Sequence, residues 1–213
     1  MSFKGTSEDF SELLQDLEAG LRVSDTRFDK VFPAEARRHG QVHWTAVAIA
    51  MDAVNLLTAH RPEGEVTRIL DVGSNVGKFC LVGALISQAY FVGVERRRKL
   101  VDIARTVSRR LRVSRVRYQW CDMETVDWSE FNGIYLFNPF HENLDLEIKI
   151  DSEVELSKAH FERYVKTAQT KLASCKPGTR VVTYYGFGGE FPPGYERMPT
   201  PDLTDKLELW IKS

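Results

Sequence analysis

The sequence lacks three features that would each assign it to a special class of protein. Its 29 basic and 30 acidic residues nearly cancel, so the formal charge of -1 predicts no polyelectrolyte partner for the whole molecule. No stretch approaches the roughly eighteen apolar residues that a membrane-spanning helix needs. The three cysteines are dispersed and odd in number, which excludes a disulfide framework and a cysteine-rich metal site. Free thiols and one globular domain with a sizeable core are therefore expected.

Residues 1–20 also lack the basic segment and apolar run of a secretory signal. Several acidic side chains stand there instead, so we expect a cytoplasmic protein that does not bind a membrane. The turn-forming stretch Arg61-Pro62-Glu63-Gly64 then interrupts the pattern. It predicts two parts, an N-terminal helical segment and lid over residues 1–64 and a main domain over residues 65–213.

Helical periodicity divides the first of these parts. Apolar residues recur at helical spacing over residues 8–19, where Ser7 is placed to cap an amphipathic helix. Residues 21–41 have no clear period and are expected to be irregular and to act as a lid. The apolar run over residues 43–57 predicts a largely buried helix.

After the break, apolar strands alternate with amphipathic helices, which is the pattern of an α/β fold with a doubly wound, mostly parallel sheet. A loop rich in glycine and proline, residues 186–194, then precedes two short segments that predict an antiparallel C-terminal hairpin. We expect this loop to act as a second lid. The predicted strands are 67–72, 90–95, 115–120, 132–137, 179–185, 195–198 and 206–212, and the predicted helices are 76–87, 96–112 and 153–174.

The most informative stretch runs from Arg68 to Cys80, where an apolar strand leads through a turn into a helix. A doubly wound sheet binds nucleotide-like cofactors at such a junction. A dinucleotide-binding turn has the spacing G-x-G-x-x-G, whereas here Asp71 is followed by glycines at 73 and 77. The spacing therefore argues against NAD. Both glycines allow close approach of a ligand to the backbone, and the helix N-terminus attracts a carboxylate.

This register resembles the first motif of the class I S-adenosylmethionine-dependent methyltransferases, a likeness that extends from about residue 66 to the C-terminus. The resemblance implies a seven-stranded, Rossmann-like sheet and S-adenosylmethionine (SAM) as cofactor, with Asp71, Gly73, Ser74, Asn75 and Gly77 around the methionine part. Asn75 stands where the family has a third glycine. Asparagine tolerates a left-handed backbone best after glycine, so the turn can form.

Two further acids follow successive strands. Glu95 ends the second strand, where an acid can accept hydrogen bonds from both ribose hydroxyls. Asp122 and Met123 follow the third strand, and the resemblance implies contact with the adenine amino group and ring. Thr45, at the start of the predicted helix 43–57, is a candidate N-cap and a further cofactor contact.

The fourth strand ends in Asn138-Pro139-Phe140-His141. Proline fixes the chain there and leaves the Asn carbonyls and the aromatic ring presented at the strand end. The segment resembles the Asn-Pro-Pro-Tyr motif of amide and exocyclic-amine N-methyltransferases, and the Asn-Asn-Phe segment of histone lysine methyltransferases that lack a SET domain. Both resemblances imply transfer to nitrogen. Asn138 is expected to orient that nitrogen and to contact the cofactor.

Water exclusion and proton removal complete this interpretation. We expect Phe140, with Trp44 or Phe187, to exclude water from the site. His141 and His43 are the candidates for removal of a proton, since neutral imidazole accepts one near pH 7.

Two charge blocks bear on the acceptor. Ten basic residues lie between Arg96 and Arg117 with a single acid, Asp102, and considered alone they favour nucleic acid. Residues 122–162 contain eleven acids and two lysines, and part of that block follows the fourth strand directly. An acidic rim repels phosphate and attracts cations. We therefore expect a cationic acceptor such as a lysine or arginine side chain of a basic protein, and regard nucleic acid as disfavoured.

Four alternatives stay open on sequence alone. The acceptor can be RNA or DNA, which would use the basic helix, or a small molecule. A module that holds SAM without catalysis is compatible with the atypical fourth motif. An NAD-dependent oxidoreductase is the most distant alternative because the glycine spacing disfavours it.

Overall fold

The computed structural model describes residues 10–38, 44–60, 64–200 and 203–213. An N-terminal group of helices precedes the sheet, and each of the next three helices follows one of its strands in the chain. The helices are α1 Ser11–Glu18, α2 Asp25–Phe28, α3 Ala34–Arg37, α4 Val47–Thr58, α5 Lys78–Ile86, α6 Arg98–Arg110 and α7 Lys158–Ala173. The strands are β1 Arg68–Val72, β2 Tyr90–Glu95, β3 Val116–Trp120, β4 Gly133–Leu136, β5 Arg180–Tyr184, β6 Tyr195–Met198 and β7 Leu207–Lys212.

The seven strands form one sheet in the order β3-β2-β1-β4-β5-β7-β6. The first five in this order pair in parallel, and β7 is antiparallel to both β5 and β6. The predicted doubly wound sheet with an antiparallel C-terminal hairpin is thereby confirmed. Its parallel strands end at one edge, and the order of the strands reverses between β1 and β4, which is where such folds bind ligands.

Helices cover both faces of the sheet. Buried residues of α1, α4, α5 and α6 share one apolar cluster with the sheet, and α7 packs into a second cluster on the other face. Most of the apolar residues whose helical spacing predicted these helices are buried. For example, Leu100, Ile103, Ala104 and Val107 of α6 are all buried. No helix within the described ranges is long and apolar enough to cross a membrane.

The prediction that residues 21–41 are irregular is wrong for the described part. Two short helices, α2 and α3, lie there on either side of a single 3-10 turn, and Phe28 and Phe32 are almost fully buried. Elements of four residues are too short to show a helical period. Their local signals are Ser24, whose side chain caps α2, and Pro33, which precedes α3.

Two other helices begin later than predicted. α4 begins at Val47, and Ala46 rather than Thr45 is its N-cap, so the prediction that Thr45 caps this helix is wrong. α7 begins at Lys158 because the Ser157 side chain accepts a hydrogen bond from the His160 amide and thereby caps the helix. Ser7 and His43 lie outside the described residues.

Two of the three thiols are buried. Cys80 and Cys175 lie in the interior, whereas Cys121 is only partly buried, and all three are free, as expected. Burial raises the pKa of each. They are therefore poor nucleophiles at neutral pH.

Candidate functional site

A cavity of about 300 Å³ opens at the carboxyl ends of the parallel strands. Four segments line it. These are the turn after β1, the end of β2, residues 121–123 after β3, and the chain from Phe137 to Ile150 after β4. Tyr164 of α7 closes one side.

The turn after β1 has a left-handed backbone at three positions. φ is +76° at Gly73, +50° at Asn75 and +78° at Gly77. The asparagine therefore adopts the conformation predicted for it. Its side-chain oxygen accepts hydrogen bonds from the Trp44 indole (3.1 Å) and the Val76 amide (2.8 Å), which compensate for the strain. The amides of Gly73 and Ser74 donate to the Val94 carbonyl and bind the turn to β2.

Glu95 is the buried acid of the cavity. Its carboxylate accepts hydrogen bonds from the backbone amides of Asn75 (3.2 Å) and Arg97 (3.0 Å). Burial raises the pKa of Glu95, and the two amides and the Arg97 guanidinium oppose that rise. Because each carboxylate oxygen has two lone pairs, one on each remains for a ligand in the cavity.

Arg97 connects Glu95 to the chain beyond β4. Its side chain is buried, and its guanidinium donates to Glu142 (2.7 Å) and to Asp151 (2.9 Å). Glu142 also accepts a hydrogen bond from the amide of Ile150. The guanidinium therefore holds residues 142–151 over the cavity, and these carboxylates raise the pKa of Arg97 in spite of its burial.

Asp71 lies at the end of β1 but is not part of the cavity lining. Its carboxylate is buried and accepts a weak hydrogen bond from the Cys80 thiol (3.3 Å). Burial raises the pKa of Asp71 to about 7, and the charge of Glu95 adds to this effect. In this buried position, Asp71 can order the turn after β1 without lining the cavity.

Lys78 connects the same turn to the N-terminal helices. It follows Gly77 directly, its side chain is 4% exposed, and its ammonium group is 2.6 Å from both Asp25 and Asp29. The Asp25 carboxylate in turn accepts the amide of Val47 at the start of α4. The ion pairs thus fix α2 and α4 against the glycine turn.

Asp122 and Met123, which follow β3, also line the cavity. One Asp122 oxygen accepts the Glu124 amide (2.9 Å), and the other accepts the Tyr164 hydroxyl (2.6 Å). The ring of Tyr164 stacks on Phe140, with centroids 5.5 Å apart. An acid, a methionine and two aromatic rings therefore border this part of the cavity, which suits a flat heterocycle with an exocyclic amine.

The Asn138-Pro139-Phe140-His141 segment forms the wall beyond β4. Asn138 has a left-handed backbone (φ +40°), and its amide donates to the Gly186 carbonyl (3.1 Å), so the tips of β4 and β5 are fixed to each other. Pro139 packs against the glycine turn, because a Cβ added to Gly73 would lie 3.4 Å from the proline Cβ. All four residues line the cavity.

The structure brings together nine of the predicted site residues and leaves four outside the lining. Those in the lining are Gly73, Asn75, Glu95, Asp122, Met123, Asn138, Pro139, Phe140 and His141, and those outside are Thr45, Asp71, Ser74 and Gly77. The Thr45 hydroxyl is paired with that of Tyr135 (2.9 Å) instead. Trp44 and Phe187, which were expected to exclude water from the site, are buried away from the cavity.

Several cavity residues were missed by sequence reasoning, among them Arg97, Tyr164 and Phe137. Arg97 is one of the ten residues of the basic block, which by itself favours nucleic acid. Tyr164 lies on the apolar face of the predicted helix 153–174, and Phe137 is the last residue of the predicted strand 132–137. Only the position of Phe137, next to Asn138 at a strand end, could have indicated a place in the site.

The basic block is largely occupied by contacts within the protein. Arg105 donates to the Tyr118 carbonyl, Arg110 to that of Val31, and Arg115 to those of Ala84 and Ser87. These guanidinium groups satisfy carbonyls of neighbouring elements. The block therefore presents less free positive charge than the sequence indicates.

Comparison with known proteins supports the fold but gives no sequence relative. No family model matches the sequence, and no curated protein matches it with significance. Among solved structures, TrmN from Thermus thermophilus superposes with a TM-score of 0.57 at 18% identity, over 84% of this chain. The bifunctional kinase-methyltransferase WbdD gives 0.50 at 14% identity, over 78% of this chain and 34% of that one.

These likenesses confirm the predicted fold of the class I SAM-dependent methyltransferases. The chain spans only 52% of the length of TrmN. The identities are low enough that the comparison bears on the architecture alone.

Proposed function

We propose that this protein is a SAM-dependent methyltransferase that transfers the methyl group to a nitrogen of a cationic acceptor, such as a protein lysine or arginine side chain. The observation that carries the proposal is the arrangement of the cavity. A left-handed glycine turn, two carboxylates and an Asn-Pro wall meet around one space of about 300 Å³ at the switch point of the sheet.

The chemistry of the donor set fits the parts of SAM. The amides at the start of α5 can receive the methionine carboxylate. Glu95 has free lone pairs for the ribose hydroxyls, and Asp122 and Met123 border the space for adenine. The proposed contacts in the lining are those of Gly73, Asn75, Glu95, Asp122, Met123 and Asn138. Four residues outside the lining would act only through their neighbours, namely Asp71, Ser74, Gly77 and Thr45, which is paired with Tyr135.

SAM supplies a methyl group already activated by its sulfonium. The residues of this chain then have three tasks, which are to orient the nitrogen, to exclude water and to remove a proton. Asn138 and the Pro139 backbone orient the nitrogen, and Phe140 forms an apolar part of the wall. His141, which lines the cavity, accepts the proton.

Transfer of label from SAM tests this function directly. The protein is incubated with methyl-labelled SAM and cell extract, and the products are digested separately with protease and with nuclease. We expect label that is released by protease only. Label that is released by nuclease would show that the acceptor is RNA or DNA. If no label is transferred although SAM binds, the protein is a binding module and the proposal fails.

Replacement of Glu95 by Ala tests the cofactor site. Hydrogen bonds to a charged group contribute about 1.5 to 3 kcal/mol, so we expect SAM affinity to fall about 10- to 100-fold. Isothermal titration calorimetry measures the change, with Glu130→Ala at an exposed position as the matched control. Full SAM affinity in Glu95→Ala would show that the acid does not bind the cofactor.

Replacement of Asn138 by Ala separates chemistry from cofactor binding. We expect SAM affinity within a few-fold of the native value and turnover reduced by about 100-fold, because the acceptor nitrogen loses its alignment. Single-turnover methyl transfer and calorimetry on the same preparation provide both values. Unchanged turnover would remove Asn138 from the catalytic site.

A further inference from the structure

Three aromatic rings stand together at the tips of β4 and β5, next to Asn138. The ring centroid of Tyr184 is 4.9 Å from that of Phe137 and 4.6 Å from that of Tyr185, and the Phe137 and Tyr185 centroids are 6.3 Å apart. Phe137 lines the cavity, and Tyr185 is 54% exposed. This aromatic platform, Phe137, Tyr184 and Tyr185, therefore extends from the cavity to the surface.

The position of Tyr185 on this platform depends on an unusual backbone. Consecutive residues of a strand point to opposite faces of the sheet, so Tyr184 and Tyr185 should diverge. Tyr185 instead has φ of +60°, a backbone angle that is strained for a residue with a side chain. With this angle the Tyr185 ring lies beside the Tyr184 ring. The sequence uses glycine at such angles one and three positions later, at Gly186 and Gly188. A retained strain of this kind is typical of a functional site.

The chemistry of the platform selects for positive charge. The faces of aromatic rings are electron-rich and attract cations placed within about 6 Å. Burial raises the pKa of Tyr184, and its hydrogen bond with Tyr185 has the same effect, so its ring stays neutral. The backbone amide of Tyr185 donates a hydrogen bond to the backbone carbonyl of Lys206. The ammonium group of Lys206 forms an ion pair with Asp205, at 3.4 Å.

The adjoining cavity has a negative balance of charge. Its lining contains the carboxylates of Glu95, Asp122, Glu142 and Asp145 and the guanidinium groups of Arg96 and Arg97. A phosphate-bearing acceptor would meet this excess of negative charge, whereas a cation would be attracted by it. Rings and carboxylates thus favour the same kind of group.

We propose that the aromatic platform binds the cationic head group of the methyl acceptor, a substituted ammonium or guanidinium ion, and holds it beside Asn138. This assignment rests on the proposed function, because it places the acceptor of that reaction. It adds the residues that recognise the cationic group.

Direct binding of a small cation tests the platform without any methyl transfer. Choline and its neutral isostere 3,3-dimethylbutanol are titrated into the protein, and the Tyr ring resonances are followed by NMR. We expect choline to bind about two- to fivefold more tightly than the neutral isostere, as a cation–π contribution of about 0.5 to 1 kcal/mol implies. Equal affinities, or no binding of choline, would overturn the proposal. The result does not depend on SAM, so its failure is distinct from failure of the proposed function.

Two variants at Tyr185 separate recognition from folding. Tyr185→Gly removes the ring and relieves the left-handed strain, so we expect a Tm equal to or above the native value, native SAM affinity, and loss of the preference for choline. Tyr185→Phe keeps the ring and should keep the preference. A lower Tm in Tyr185→Gly, or a preference for choline that persists in it, would show that the ring serves packing and would overturn the assignment.

Discussion

Replacement of Arg97 by Met is expected to destabilise the protein by about 3 to 5 kcal/mol and to weaken SAM binding by about tenfold or more. The guanidinium is 4% exposed and lies between Glu142 (2.7 Å) and Asp151 (2.9 Å), beside Glu95. Its removal takes the guanidinium away from the buried carboxylate of Glu95 and the partly buried one of Glu142, which keep only hydrogen bonds from backbone amides. Residues 142–151 would also lose their attachment over the cavity. Urea denaturation and calorimetry measure the two effects.

The loss of stability should depend on pH with a definite sign. Burial raises the pKa of Glu95, and Arg97 opposes that rise. Without Arg97 the pKa of Glu95 rises further. At a pH below that pKa, Glu95 takes up a proton and its unpaired charge disappears. The stability deficit is therefore expected to be largest above the raised pKa of Glu95 and to shrink as the pH falls through it.

Arg98 offers a matched control because it is the next residue and also basic. Its side chain is 67% exposed, and its guanidinium is 3.8 Å from the Asp102 carboxylate. Arg98→Met should change stability by less than about 1 kcal/mol, with no dependence on pH in the acidic range. Equal effects of the two substitutions would contradict the role assigned to Arg97.

Much of the fold could be predicted from the sequence because its signals are local. The buried strands β1, β2 and β4 are mostly apolar, and α6 carries its buried residues at helical spacing. The same local signals predict that the acids at the ends of β2 and β3 lie close together, because parallel strands end at one edge of the sheet. The cavity lining therefore contains Glu95, Asp122 and Asn138, as the sequence predicted.

The remaining features depend on contacts between residues distant in the chain. Arg97 differs from its basic neighbours only because Glu142 and Asp151, more than forty residues away, reach it. Thr45 was expected to face the cofactor, but Tyr135, ninety residues later, binds its hydroxyl. Tyr185 reads as the last residue of an apolar strand until its backbone angle is known. Periodicity carries no information on such pairings.

The substitution Gly77→Ala should have a comparable effect on the cofactor turn itself. Gly77 has φ of +78°, and a Cβ there would overlap the ring of Tyr118, whose hydroxyl donates to the Gly77 carbonyl (3.2 Å). The left-handed angle costs about 1 to 2 kcal/mol for alanine, and overpacking adds about 1 to 3 kcal/mol. We therefore expect a loss of about 2 to 5 kcal/mol, measured by urea denaturation, and a weaker SAM affinity by calorimetry.

Gly178 provides the control that separates these two costs. It has nearly the same angle, φ +80°, but no atom lies within 4 Å of its added Cβ, and it lies after α7, outside the cavity lining. Gly178→Ala should therefore cost only the about 1 to 2 kcal/mol of the backbone angle and leave SAM affinity unchanged. If Gly77→Ala costs no more than this, the Tyr118 ring yields to the added methyl group. If SAM affinity also survives in Gly77→Ala, close approach of the turn to the cofactor is not required, and the turn loses its place in the proposed site.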